Sequence, residues 1–126
     1  MKIIRFLPTI GWFILSIILL TLPGSAVPSY PWLATIHADK WVHIGLFGML
    51  CLLSMLPFRA SSYNNKQRKK WFLLITFGGI FYGILMEFVQ ENWVINRSFE
   101  YSDILADTAG CVLAYYISLR KFLVKG

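Results

Sequence analysis

Charged residues are scarce in this chain, and acidic residues are the scarcest of them. Lys, Arg, Asp and Glu make up 14% of the 126 residues and only six are acidic, whereas hydrophobic residues make up 57% and aromatic residues 17%. Soluble globular domains carry roughly 25% charged residues. The composition therefore excludes that class and indicates an integral membrane protein. The length allows one domain, which we predict over residues 1–126.

Cysteine and histidine are also rare, with two of each. Cys51 and Cys111 lie inside apolar segments, where small apolar packing is the plain interpretation. A disulfide requires that their helices touch, and two thiols alone indicate no metal site. The chain contains no nucleophile elbow, no paired-histidine metal helix and no phosphate-binding glycine loop. The sequence therefore assigns no catalytic residue, cofactor or metal ligand.

Four apolar segments are present, each close to the roughly 20 residues that cross a hydrocarbon core of about 30 Å. Lipid cannot satisfy free backbone groups, and no segment alternates as a barrel strand would, so each is predicted to be a helix. The predicted helices span about residues 6–22, 41–58, 71–90 and 103–119. The predicted fold is all-α, an integral membrane four-helix bundle.

The first segment has a second interpretation. MKIIR, the apolar run and Gly24-Ser25-Ala26 also resemble a secretory signal with a cleavage site. The apolar run is long for a signal, so we expect a retained helix. The other three helices keep the same orientation in either case.

Positive charge is distributed unevenly among the loops. Ten of the twelve Lys and Arg lie at the N-terminus, in the 59–70 loop or at the C-terminus, and Lys40 and Arg97 are the exceptions. The positive-inside rule then predicts that both termini are cytoplasmic, an N-in/C-in topology. Anionic headgroups of membrane lipids are the expected partners of these loops. The short stretch KQRKK lacks interleaved aromatic residues, so no nucleic acid partner is predicted.

All six carboxylates lie at the opposite ends of the segments. Three stretches carry the polar residues there: DKWVH at 39–43, YGILMEFVQ at 82–90 and SDILADTAG at 102–110. Helical periodicity places Glu87 on the face of Gly83, and Asp107 near that of Gly110, and small residues allow close helix approach. These carboxylates should point into the bundle. An ionisable group inside a membrane segment costs about 2.5–3.5 kcal/mol on insertion scales, so such groups usually have a function.

Structural explanations stay open for several of these residues. Asp39 or Ser102 could cap a helix, Lys40 could anchor at the interface, and His43 could be a hydrogen-bonded core histidine. A polar network that only fixes helix register is also open. Glu91 and Glu100 are predicted to be solvated.

The same stretches resemble the VanZ-like family of small multi-pass bacterial membrane proteins. The family pattern is DKxxH, an E-x-x-Q helix, an Arg, and a D-x-x-x-N-x-x-G helix, and the resemblance covers nearly the whole chain. Asp107 departs from it, because the family usually carries Asn there. The resemblance implies the bacterial cytoplasmic (inner) membrane and a role in the cell envelope in teicoplanin resistance. It implies these site candidates: Asp39, Lys40, His43, Glu87, Gln90, Arg97, Asp103 and Asp107.

Two functions are compatible with this polar end. The first is a non-enzymatic protein that binds or shields a lipid-linked cell-wall precursor or a lipoglycopeptide, with cations holding anionic groups and carboxylates holding amines or hydroxyls. The second is an enzyme acting on a lipid-linked phosphate or acyl group. It would use His43 or Glu87 as general base and carboxylates that hold a divalent cation. The sequence leaves open whether the protein is an enzyme.

Overall fold

The computed structural model describes residues 3–23, 32, 38–94 and 99–123, and the regular structure in these ranges is entirely helical. The all-α prediction is confirmed for them. The helices are α1 (Leu7–Leu20, after a 3₁₀ turn at Ile3–Phe6), α2 (Ala38–Arg59), α3 (Asn65–Trp93) and α4 (Tyr101–Lys121).

Helix α3 begins six residues before the predicted apolar segment. A capping box starts it: the Asn64 side chain accepts from the backbone N–H of Gln67 at 2.8 Å, and the Gln67 side chain accepts from that of Asn64 at 3.0 Å. The box satisfies backbone donors that would otherwise lack partners at the helix start. Hydropathy alone could not locate this boundary, because the first turns of α3 are basic.

Arg68 lies in that basic stretch and is buried rather than solvated. Its Nε donates to the Phe58 carbonyl at 2.8 Å, and its guanidinium donates to the Ser61 carbonyl at 2.8 Å. Both carbonyls lie at or just after the end of α2, where acceptors lack helical partners and a cation is favoured. Arg68 therefore links the end of α2 to the start of α3.

Three helical stretches are long and apolar enough to cross a membrane: Ile3–Leu20, Lys40–Arg59 and Asn65–Trp93. Helix α4 is not among them, although four spans were predicted. Asp103 and Asp107 lie in its first two turns and lower its mean hydropathy. Both carboxylates are buried, so they face the other helices.

Large apolar side chains cover much of the outer surface of the helices. On α3, Phe77 and Phe81 are each about 60% exposed, and Leu74, Leu85 and Phe88 are also exposed. A soluble monomer rarely exposes such a continuous apolar surface. Together with the three long apolar helices, it indicates a membrane protein.

Helices α2 and α4 pack most extensively against each other. They touch backbone to backbone: a Cβ on Gly110 would collide with the carbonyl oxygen of Ile44 and lie 2.9 Å from the backbone nitrogen of Gly48. The predicted close approach at Gly110 is present, and Gly48 of α2 is its partner. Lys40 pairs with Asp103, His43 with Asp107 and Gly48 with Gly110. Residue numbers therefore rise together along the two helices, and α2 and α4 are parallel.

Helix α3 packs against both of them through glycine. A Cβ on Gly79 would lie 2.8 Å from the Sγ atoms of both Cys51 and Cys111. The helices that carry the cysteines therefore do touch, and both cysteines are free and buried. Phe47, Met55 and Phe72 are fully buried and form the apolar core beside them.

Helix α1 buries only Ser16 and Leu20 against the others, and specific hydrogen bonds add to these contacts. Trp12 Nε1 donates to the Leu46 carbonyl at 2.9 Å, and the Ser16 hydroxyl lies 2.7 Å from the Tyr82 hydroxyl. The remaining face of α1 is apolar and exposed. These hydrogen bonds set the position of α1 on the α2–α3 surface.

We predict that Gly110→Ala lowers the free energy of unfolding by at least about 2 kcal/mol, because the added methyl meets backbone that cannot turn aside. Gly45→Ala is the matched control, since nothing lies within 4 Å of a Cβ there. It should be neutral or stabilising by up to about 1 kcal/mol, as expected for Gly to Ala in a helix. SDS titration of purified protein in mixed micelles measures both. Equal stability of the two variants would contradict the α2–α4 contact.

Candidate functional site

The polar residues meet where α2 and α4 begin and α3 ends. Helix α2 supplies two of them from its first turns, α3 supplies one from its last turns, and α4 supplies the others from its start and the residue before it. We call this group the polar cluster. It consists of Lys40, His43, Glu87, Glu100, Asp103 and Asp107.

His43 and Asp107 form the most buried contact of the polar cluster. His43 Nδ1 donates to Asp107 Oδ1 at 2.6 Å. His43 is 6% exposed and Asp107 is 1% exposed. Gly83 of α3 makes room for the carboxylate, because a Cβ there would lie 2.8 Å from Asp107 Oδ2. A carboxylate on one imidazole nitrogen fixes the ring and leaves the other nitrogen for chemistry.

Lys40 bridges two carboxylates of the α4 end. Its Nζ donates to Glu100 Oε2 at 2.7 Å and also to Asp103 Oδ1. The Asp103 side chain is 9% exposed, whereas the Glu100 side chain is 48% exposed. The ion pair with Asp103 is therefore shielded from solvent, and the pair with Glu100 is partly hydrated. Lys40 takes part in the site rather than only anchoring at an interface.

Glu87 is almost completely buried, and its carboxylate faces α4. Its Oε2 accepts from the backbone N–H of Glu100 at 3.1 Å. Glu100 is exposed, as predicted, but it also takes part in the polar cluster, because its side chain pairs with Lys40 and its backbone N–H binds Glu87. No periodic pattern pointed to it, since it precedes α4 and belongs to no apolar segment.

Gln90 was predicted in the site and occupies a different position. Its Nε2 donates to the Leu20 carbonyl at 2.8 Å, so it binds the end of α1. Leu20 is the last residue of α1, where carbonyls lack helical donors. The buried amide therefore orients α1 against α3.

The side chain of Asp39 and the whole of Arg97 lie outside the described residues. The backbone of Asp39 belongs to the first turn of α2, and Glu100, not Ser102, holds the N-cap position of α4. The suggested capping role of Ser102 therefore does not match the start of α4, whereas that of Asp39, whose side chain lies outside the described residues, stays a prediction.

An apolar cleft of about 330 Å³ lies between α1, α2 and α3. Phe13, Leu50, Ile75 and Tyr82 contribute to its walls. On α3, Tyr82 is the lining residue nearest in sequence to Glu87, about 7.5 Å from it along the helix axis. The lining of the cleft suits a hydrocarbon chain.

No family model, curated protein or solved structure matches this chain. The resemblance to the VanZ-like family therefore stays a prediction.

The polar cluster combines four carboxylates with one ammonium group and one imidazole. This excess of acidic groups favours cationic ligands, amines and hydrogen-bond donors over a bare phosphate. His43 Nε2 has no hydrogen-bond partner among the described residues, and it lies 3.8 Å from Asp103 Oδ2. The imidazole can therefore accept a proton or bind a metal ion at that nitrogen.

We predict that Lys40 is coupled more strongly to Asp103 than to Glu100. A double-mutant cycle of Lys40→Met with Asp103→Asn should give a coupling energy of about 2 kcal/mol or more, because removing one partner leaves a buried charge without compensation. The matched cycle with Glu100→Gln should give about 1 kcal/mol or less, as for exposed pairs. SDS unfolding of the single and double variants measures both. Equal coupling energies would mean that burial does not govern these pairs.

Proposed function

We propose that this chain is a multi-pass protein of the bacterial cytoplasmic membrane whose extracytoplasmic polar cluster binds a lipid-linked cell-wall precursor or a lipoglycopeptide. It acts by binding or shielding rather than by turnover. This is the teicoplanin-resistance role that resemblance to the VanZ-like family implies.

The topology proposed is a four-helix bundle with both termini in the cytoplasm. Three apolar helices and the exposed apolar surface support membrane insertion. Helix α4 has 21 residues, which is about 30 Å of helix and enough for a fourth crossing. Its acidic first turns pack against α2 and α3 rather than lipid. The distribution of Lys and Arg orients the bundle, since ten of twelve lie at the termini or in the 59–70 loop.

The observation that carries the proposal is the burial of ionisable groups from three helices at the end away from the basic loops. His43, Glu87, Asp103 and Asp107 are each 6% exposed or less. Burying so many such groups is costly inside a membrane protein, and they usually mark a substrate or ion pathway. In the proposed topology, their position at the helix ends lies close to the extracytoplasmic surface.

We infer the class of ligand from the side chains of the polar cluster and of the apolar cleft. Buried carboxylates suit the amines and hydroxyls of a peptide or sugar headgroup. The cleft beside Tyr82 suits the hydrocarbon chain of the same molecule. A molecule that joins a polar headgroup to a lipid chain meets both requirements, and membrane lipids would occupy the cleft in its absence.

Teicoplanin susceptibility of a sensitive bacterial host tests this function. Expression of the unmutated chain should raise the minimum inhibitory concentration. Asp103→Asn and Glu87→Gln should abolish that protection, because each replaces a buried carboxyl group of the polar cluster. All proteins are compared at matched abundance in the membrane fraction.

Glu91→Gln is the control, because Glu91 is an exposed carboxylate of the same helix end as Glu87. It should protect as well as the unmutated chain. Full protection by both cluster variants would rule out the polar cluster as the working site. Absence of protection by the unmutated chain would rule out the resistance role.

The contact between His43 and Asp107 favours one alternative, an enzyme acting on a lipid-linked phosphate or acyl group. An imidazole oriented by a carboxylate is the usual arrangement of a general base. Under this alternative, purified protein releases phosphate or the acyl group from a lipid-linked precursor, and His43→Gln does not. Stoichiometric binding without product release would favour the shielding role.

A further inference from the structure

We propose that His43, Glu87 and Asp103 together bind one divalent cation, with Mn²⁺ as the best fit. Ion binding by these residues goes beyond the proposed function and does not depend on it. Only the suggested use of the ion in holding a ligand headgroup rests on that function.

The three residues converge from three different helices. One ligand atom from each lies within 4.8 Å of the others, and all three residues are buried. Atoms bound to one ion at about 2.0–2.2 Å lie up to about 4.4 Å apart. His43 Nε2 and Asp103 Oδ2, at 3.8 Å, already satisfy that limit. The widest pair needs to close by roughly half an ångström, which a carboxylate rotation supplies.

The orientation of His43 is the second, independent indication of a ligand. Asp107 holds Nδ1, so Nε2 is the ring nitrogen left for an ion, and it lies 3.8 Å from Asp103 Oδ2. The His43 side chain is only 7% exposed. Among the described residues no hydrogen bond occupies Nε2, so this nitrogen is open to an ion or to water. Metal-binding histidines characteristically donate their other ring nitrogen to a carboxylate in this way.

The carboxylates of Asp103 and Glu87 each have an oxygen that is available to an ion. Asp103 uses Oδ1 to bind Lys40, and its Oδ2 lies 3.8 Å from His43 Nε2. Glu87 uses Oε2 to accept the Glu100 backbone N–H. Each carboxylate can therefore donate an oxygen to the ion and keep its present contact.

The ligand set decides which ion fits. Two carboxylates suit Mg²⁺, Ca²⁺ and Mn²⁺, and an imidazole counts against the first two, which prefer oxygen alone. Mn²⁺ prefers oxygen ligands and also accepts an imidazole, whereas Zn²⁺ and Fe²⁺ sites usually hold more than one His or Cys. Three protein ligands leave further positions for water or for a phosphate oxygen of a ligand.

An ion at this position also balances the charge of the polar cluster. Four carboxylates face one ammonium group there, and a divalent cation offsets the excess. It would also let an acidic site bind a phosphate group, because the ion can bridge carboxylate and phosphate oxygens. This bridging is the part of the inference that rests on the proposed function.

Electron paramagnetic resonance of purified, chelator-treated protein in detergent tests the proposal. Titration with Mn²⁺ alone should show saturable binding of one ion per chain. Electron spin echo modulation of the bound ion should show a directly coordinated ¹⁴N nucleus, which identifies the imidazole. Glu87→Gln and Asp103→Asn should each weaken binding at least about tenfold, and His43→Gln should remove the nitrogen coupling.

Glu91→Gln is again the charge-matched control and should bind as the unmutated chain does. Circular dichroism and gel filtration select variants that fold. If a variant of one proposed metal ligand fails to fold, the nitrogen coupling of the unmutated protein still tests whether an imidazole coordinates the ion. Absence of saturable binding, binding without nitrogen coupling, or an equal loss in Glu91→Gln would each overturn the proposal. These measurements include no lipid-linked ligand, so their outcome is separate from that of the susceptibility test.

Discussion

The backbone contact between α2 and α4 is the constraint on which the rest of the polar end depends. Gly48 and Gly110 lie against each other without an intervening side chain. Because the helices are parallel, this approach also aligns their first turns, and it brings His43 to 2.6 Å from Asp107. Wider separation would remove that hydrogen bond and leave two buried groups without partners. Close packing and polar chemistry are therefore consequences of the same contact.

Burial of the carboxylates is tolerated because each one has a specific partner. Asp107 binds an imidazole, Asp103 binds an ammonium group, and Glu87 binds a backbone N–H. Ionisable groups in a low dielectric are expensive unless they are paired and hydrogen-bonded. A network that served only to join helices could use fewer charges, as Trp12 and Gln90 do with single neutral hydrogen bonds. The excess of carboxylates favours an external cation or a ligand with donor groups.

Periodicity predicted the inward faces correctly in the helices that carry glycine. Glu87 follows Gly83 by one turn, Asp107 precedes Gly110 by one turn, and both carboxylates are buried as expected. Apolar length predicted four helices but not their ends, because capping at Asn64 lies outside the apolar run. The role of Glu100 was missed for a related reason: it lies between two helices, so the helical periodicity of neither one indicates which way it faces. Its contact with Lys40 joins positions 60 residues apart in the chain.

The sequence by itself determined the helical class, the apolar segments and the sorting of acidic from basic ends, because these depend on local composition and on periods of a few residues. Only the tertiary structure decided which polar groups pair. Gln90 and Glu87 lie on neighbouring turns of α3, yet one binds α1 and the other lies against α4. Hydrogen bonds require distances near 3 Å and defined directions, and these depend on helix rotation and crossing, which no stretch of sequence encodes alone.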